Sequence, residues 1–216
     1  MDFDGSASGS AARAFLDAMR DRYACKLFDS SPLPRELEEY VLECGRLSPS
    51  SFGLEPWRFV AVSERPLIEG PLFEACFRQD AVRTSSLVVA ILARRAADLG
   101  PDSDFVRSRA ERFPGGHPVF RADYIGYHEF LEREGRIEHW SRAQTYIACA
   151  NMMTGAAAAG LDSCAIEGFD EGMLFKALGE DPDRWLAGPA VVFGRRAEPV
   201  REKIRAHYDE VVDYRG

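Results

Sequence analysis

Apolar positions along the 216-residue chain change their period several times. Between Pro34 and Leu47, the residues Leu37, Tyr40, Val41, Cys44 and Leu47 recur at three- and four-residue steps. Behind a proline and an acidic first turn, that spacing predicts a helix. PWRFVAVS (56–63) alternates as a strand does, with Pro56 at its start, where no ladder donor is lost. SLVVAILA (86–93) is apolar without interruption over the length of a strand, which predicts a strand deep in a sheet. Residues 141–160 are small or apolar around the whole helical circumference and close on Gly160, where a left-handed cap would fall. They predict a buried helix whose alanines let neighbouring backbones come close, as either a dense core or a subunit interface requires. LDSCAIEGFD (161–170) reads as a short strand and an acidic-glycine turn, with Asp170 placed to cap a helix that ends at Gly179. WLAGPAVVFG (185–194) is the last strong strand, and the polar stretch 94–140, with FPGGHP at its middle, reads as a surface excursion carrying a helix or two. Strands neither alternate strictly with helices nor cluster together, so the predicted class is α+β.

Composition narrows the function. With 46% apolar and 29% charged residues the chain can bury one substantial core. A single domain is expected over 13–216, behind a disordered tail of small and polar residues (1–12) that lacks the features of a signal peptide. A net charge of -8 argues against a nucleic-acid surface, and any bound polyanion should be small and held by a few local cations. No apolar run reaches the roughly 18 to 20 residues of a membrane span, so neither nucleic acid nor membrane is an expected partner. The five cysteines (Cys25, Cys44, Cys76, Cys149, Cys164) are odd in number and lack CxxC spacing, which suits reduced thiols in a cytoplasmic protein, mostly as small core residues. His117, His128, His139 and His207 lack metal-ligand spacing, and the common phosphate-loop, hydrolase and zinc-protease motifs are missing, so no metal is assigned.

Against this acidic background two pairs of cations stand out. Arg22 and Lys26, in RYACK, are four apart and would share one helix face, either solvated or clasping a phosphate or a carbonyl-rich ring. Lys203 and Arg205 are two apart and would point to one side of an extended tail.

Taken in order, RYACKLFD (22–29), RLSPSSFGLEPWRFV (46–60), AQTYIACANMMTGAAAAGLDSCAIEGFD (143–170) and KIR (203–205) resemble the FMN-dependent nitroreductase family, over most of the chain from about residue 20. The resemblance implies a nitroreductase-like fold, a central, mainly antiparallel sheet flanked by helices, in an interlocked homodimer with FMN at the interface. It implies that Arg22 meets the ribityl phosphate and Lys26 the N1 and O2 edge of the flavin, with the backbone of Tyr23 and Ala24 lining the site between them. Pro49 and Ser50 would arrive from the partner subunit, the Glu167 and Gly168 amides would face N5 and O4, and Lys203 and Arg205 would close on the phosphate. NADH or NADPH would be the reductant, and a nitroaromatic, quinone or enone the acceptor. No acid–base side chain is demanded. Another flavin reaction, such as dehalogenation or flavin breakdown, and flavin binding without turnover are the competing readings. The chain departs from the family pattern at Gly53 (usually asparagine), Glu55 (glutamine), Arg78 (asparagine), Ala81 (often lysine) and Ala165 (proline), and no flavin contact is assigned to Arg78 or Ala81. In the excursion, Phe120, Tyr124 and Tyr127 could wall the substrate site or simply pack in the core.

Overall fold

The computed structural model describes residues 9–215. The chain begins with α1 (Ser10–Asp21), so Ser10–Ala12, expected in the tail, are already helical; residues 1–8 of that expected tail lie outside the described residues. The predicted helix behind Pro34 is α2 (Arg35–Arg46), with Pro34 as its N-cap.

Four strands form one antiparallel sheet in the order β1 (Trp57–Val62), β2 (Leu87–Arg94), β4 (Trp185–Gly194), β3 (Asp162–Ile166). The two most apolar segments, β2 and β4, take the central places and pair Val88 with Val192 and Ala90 with Ala190. An uninterrupted apolar strand needs cover on both faces, and both are covered. On one face lie α2 and the long α8 (Ile137–Ala158), packing Val41, Ala148, Met152 and Ala156 onto Val89, Ile91 and Val191. On the other lie α9 (Glu171–Leu178) and a helical run of α3 (Arg65–Leu67), a π-helical turn (Ile68–Leu72), α4 (Phe73–Ala75) and α5 (Asp80–Thr84), which enclose Ile68, Leu72, Val82 and Leu174. Asp170 caps α9 by accepting the Met173 N–H at 2.8 Å, and Gly179 ends it at φ 67°.

Helix and sheet come close together at Gly188 on β4. A Cβ there would meet the Thr145 hydroxyl of α8 and stand 2.7 Å from the Ile91 carbonyl oxygen, so nothing larger than hydrogen fits. Gly188→Ala should cost about 1 to 3 kcal/mol of stability through overpacking. Urea denaturation reads this directly, and a variant as stable as the parent would mean that α8 rides further from the sheet.

The helix expected to be buried all round is not. Gln144, Thr145, Ala148, Cys149 and Met152 face the interior, whereas Ala143, Tyr146, Ile147, Ala150 and Asn151 form an exposed stripe at three- and four-residue spacing. The sheet and α2 can cover only one side of a helix, so in a single chain the other side stays uncovered.

The excursion holds α6 (Asp104–Ala110) and α7 (Gly116–Arg133) and has its own small core of Leu99, Val106, Phe120, Tyr124 and Trp140. Phe120 and Tyr124 are core residues; the Tyr124 hydroxyl donates to the Leu99 carbonyl at 2.8 Å. Phe52, from the loop after α2, packs edge-on against Tyr124 with ring centroids 5.1 Å apart, and Tyr127 is half-buried beside it. The short α10 (Tyr208–Val211) follows the tail.

Candidate functional site

Arg22 to Lys26 are not helical. Arg22 is the C-cap of α1, and the chain then runs extended, bridging Ala24 to Ser163 of β3 in parallel. The Cys25 N–H donates to the Ser163 carbonyl at 3.1 Å. The helix face expected for Arg22 and Lys26 is therefore corrected, yet the grouping survives, because four residues is also an even number of strand steps. Cys25 is fully buried and Tyr23 half-buried, while Ala24 and Lys26 are exposed and Arg22 is partly so.

The Lys26 ammonium rests 3.2 Å from the Cys164 sulfur, and its backbone N–H donates to the Glu198 carboxylate at 2.7 Å. The tail brings Lys203 to the end of α1, where its ammonium donates to the Met19 carbonyl. Burial first, then the charges of Arg22 and Arg205, hold the Lys203 amine below its ordinary pKa, with Asp21 opposing. Folding thus gathers Arg22 and Arg205 around Lys203 closely enough to repel its charge. Most arginines elsewhere, such as Arg35, Arg46, Arg78 and Arg83, sit in ion pairs with carboxylates. Among the described residues no ion pair within 4.0 Å neutralises Arg22, Lys26, Lys203 or Arg205.

Glu167 and Gly168 are exposed in the turn after β3. The Glu167 carboxylate accepts the Tyr146 hydroxyl at 2.5 Å, which raises the phenol to about 12, through that hydrogen bond first and burial second. The Gly168 carbonyl accepts from Gln79 Nε2 at 2.7 Å. Gln79 is aimed there by two consecutive non-glycine residues in the left-handed region, Phe77 (φ 53°) and Arg78 (φ 55°), an arrangement that costs of order 1 to 3 kcal/mol each. A recess of 240 Å³ opens beside this turn, lined by Arg142, Tyr146, Glu167, Phe169 and Pro189 among others. Cys149, on α8 beneath, is pushed up to about 12, by burial first and then by Glu167, while Arg22 pulls it the other way. That opposing pull places Arg22 and the Glu167 turn in one neighbourhood.

Within one chain Pro49 and Ser50 do not join this group. The Ser50 hydroxyl accepts the Glu55 N–H at 2.8 Å, the Ser51 N–H donates to Gln144, and Asn151 donates to Ser48, which seats the loop on α8. Four of the five departures from the family pattern sit in defined local surroundings, and nothing in the structure explains Ala165. Gly53 has φ 60°, and the Phe113 ring lies 2.7 Å from where a Cβ would stand, so the ring fills the side-chain space. Glu55 is held by Arg112 at 3.1 Å and Arg109 at 3.8 Å, and Arg112 also donates to the Gly53 carbonyl. Arg78 pairs with Glu74 at 2.9 Å, and Ala81 is buried in the core.

Sequence reasoning did not single out Tyr146, Gln79 or Cys164 as supports of the site. The exposed helical spacing of Tyr146 relative to Gln144 and Cys149 was available in the sequence; the Gln79 and Cys164 contacts span 89 and 138 residues and left no local signal.

The arrangement fits a mononucleotide. Unpaired cations at the end of α1 suit a phosphate, a lysine 4 residues on suits an electron-rich ring edge, and a braced turn offers backbone donors. Comparison with known proteins identifies the family. The Nitroreductase family model matches residues 19–195. A Staphylococcus haemolyticus protein provisionally named an NAD(P)H nitroreductase is 34% identical over 218 residues, covering 95% of this chain and 99% of its own. A Bacillus subtilis protein with the same provisional name is 35% identical over 213 residues, covering 92% and 96%. Among solved structures, a nitroreductase-like protein from Streptococcus mutans superposes with a TM-score of 0.80 at 18% identity, over 96% of this chain and all of the other. A provisionally named nitroreductase from Exiguobacterium sibiricum, solved in complex with FMN, gives 0.74 at 19% identity, over 93% and 97%. The fold is nitroreductase-like, α+β with an antiparallel sheet flanked by helices. The chain belongs to the nitroreductase family. Among the described residues no helix is long and apolar enough to cross a membrane.

Proposed function

We propose that this protein is an FMN-dependent NAD(P)H oxidoreductase that works as a cytoplasmic homodimer and reduces nitroaromatics, quinones or related acceptors by a ping-pong route. The observation that carries the reading is the set of cations without carboxylate partners, Arg22, Lys203 and Arg205 at one end and Lys26 at the other, in a chain whose net charge is -8. Like charges gathered around Lys203 repel it, and a bound anion relieves that repulsion.

FMN, when bound, would take a hydride equivalent from NADH or NADPH and later hand it to the acceptor. The chain's own residues bind and orient. Arg22 and Arg205 offer planar forks to a phosphate and Lys203 a point charge. Lys26 leaves the Cys164 sulfur to meet the ring edge. Tyr23 and Ala24 line the site through backbone fixed by the β3 bridge, and Glu167 and Gly168 present the turn braced by Tyr146 and Gln79. The exposed stripe on α8 is the face that a second subunit would cover, and that subunit would deliver its own Pro49 and Ser50.

Anaerobic addition of NADH or NADPH to the purified yellow protein should bleach the flavin, and menadione or nitrofurazone should restore it. A yellow protein that neither nicotinamide bleaches would be a flavin carrier instead, and failure to take up FMN at all would remove the reading.

A further inference from the structure

The turn after β3 is tied back through its acceptors and left open at its donors. On one side the Gly168 carbonyl accepts from Gln79 Nε2 at 2.7 Å, and on the other the Glu167 carboxylate accepts from the Tyr146 hydroxyl of α8 at 2.5 Å. At the far end the Asp170 N–H donates to the Ala75 carbonyl at 2.8 Å. Between these ties the backbone N–H groups of Glu167, Gly168 and Phe169 donate to nothing among the described residues. Glu167 and Gly168 are exposed and Phe169 is half-buried, so the donors lie at the surface.

Successive N–H groups without acceptors on a turn suit an anion or a carbonyl-rich edge. This turn also carries its own competitor. The Glu167 side chain starts from the same backbone, and a charge-assisted hydrogen bond from an N–H to a carboxylate is stronger than one to a neutral acceptor. Left loose, the carboxylate would close on these donors or stand beside whatever they hold. Tyr146 prevents both by fixing it against α8. The rise of the Cys149 thiol on the same helix, from burial first and then from the Glu167 charge, agrees with a carboxylate lying there. Core packing does not account for Tyr146, which is 45% exposed. Arg142, the one cation lining the adjoining recess, sits 3.7 Å from Glu171, so among the described residues the phenol is the only hydrogen-bond partner of the Glu167 carboxylate.

We propose that Tyr146 is a positioning residue for the flavin, one that withholds the Glu167 carboxylate from the turn's N–H groups, leaves those groups to the ring edge and keeps a fixed negative charge away from a ring that gains negative charge on reduction. The inference rests on the flavin reading above and adds to it a residue that acts through another. Removing the hydroxyl should therefore do two things. Tyr146→Phe should weaken FMN binding about two- to tenfold, which is what one ordinary hydrogen bond is worth, and should move the flavin midpoint potential to a more negative value. In the Glu167→Gln background there is no carboxylate charge to release, so the same substitution should leave the potential in place and change the affinity less.

The test is a double-mutant cycle on the FMN-loaded protein, with FMN dissociation followed by equilibrium dialysis and the midpoint potential by potentiometric titration in the parent, Tyr146→Phe, Glu167→Gln and the double variant. A negative shift on Tyr146→Phe that disappears in the Glu167→Gln background is the expected result. A tyrosine that merely held the fold together would not produce it, because its loss would be felt equally with either residue at 167. Effects of the same size in both backgrounds, or a potential that Tyr146→Phe does not lower, overturn the proposal while leaving the flavin reading intact. A parent protein that takes up no FMN ends both.

Discussion

Replacing both Arg22 and Arg205 with alanine should weaken FMN binding by about two to four powers of ten, taking each charge-assisted hydrogen bond as worth roughly 1.5 to 3 kcal/mol. Neither side chain holds the fold together. Arg205 is exposed, with its guanidinium turned back on the Ile204 carbonyl at 2.7 Å, and Arg22 lies outside every ion pair within 4.0 Å among the described residues. Removing them also relieves the repulsion that, after burial, helps lower the Lys203 amine, so the flavin-free protein should lose little stability. The measurements are FMN dissociation by equilibrium dialysis and thermal unfolding of the flavin-free protein. Loss of flavin without loss of fold supports the phosphate assignment. Flavin affinity within a few-fold of the parent would remove these arginines from the phosphate.

The second large effect is electronic. Lys26→Met keeps the length of the side chain and removes its charge, so the negative charge that the ring gains on reduction loses a partner and the two-electron midpoint potential should fall. If the interaction is worth roughly 1.5 to 3 kcal/mol, the drop is about 30 to 60 mV, because 30 mV corresponds to about 1.4 kcal/mol for two electrons. In the structure the ammonium lies against a thiol and not a carboxylate, a weak partner that it can leave. Potentiometric titration of the flavin in parent and variant decides the matter, and an unshifted potential places Lys26 away from the ring edge.

Much of this molecule was legible from local pattern. The two unbroken apolar runs became the two central strands, and Asp170 and Gly179 bound α9 as turn chemistry requires. What pattern missed was decided by tertiary contact. RYACK carries no helix stop, yet its extended path is set by a bridge to Ser163, 139 residues away from Ala24. The helix 141–160 reads as wholly buried because its exposed positions are alanine, tyrosine, isoleucine and asparagine, which do not announce solvent as lysine or glutamate would. For the site, the cationic residues were visible through the resemblance of RYACK and KIR to a family's motifs and not through rarity, since the chain has 27 lysines and arginines. Their supports were not, since Tyr146 and Gln79 act through single hydrogen bonds to a distant turn.

The grip of Arg112 and Arg109 on Glu55 has a wider bearing. It ties the helical excursion to the same loop that carries Pro49 and Ser50, so a shift in one is passed on to the other. Under the proposed function, substitution within residues 104–112 would re-aim that loop and so give a handle on acceptor choice that leaves the flavin anchors untouched.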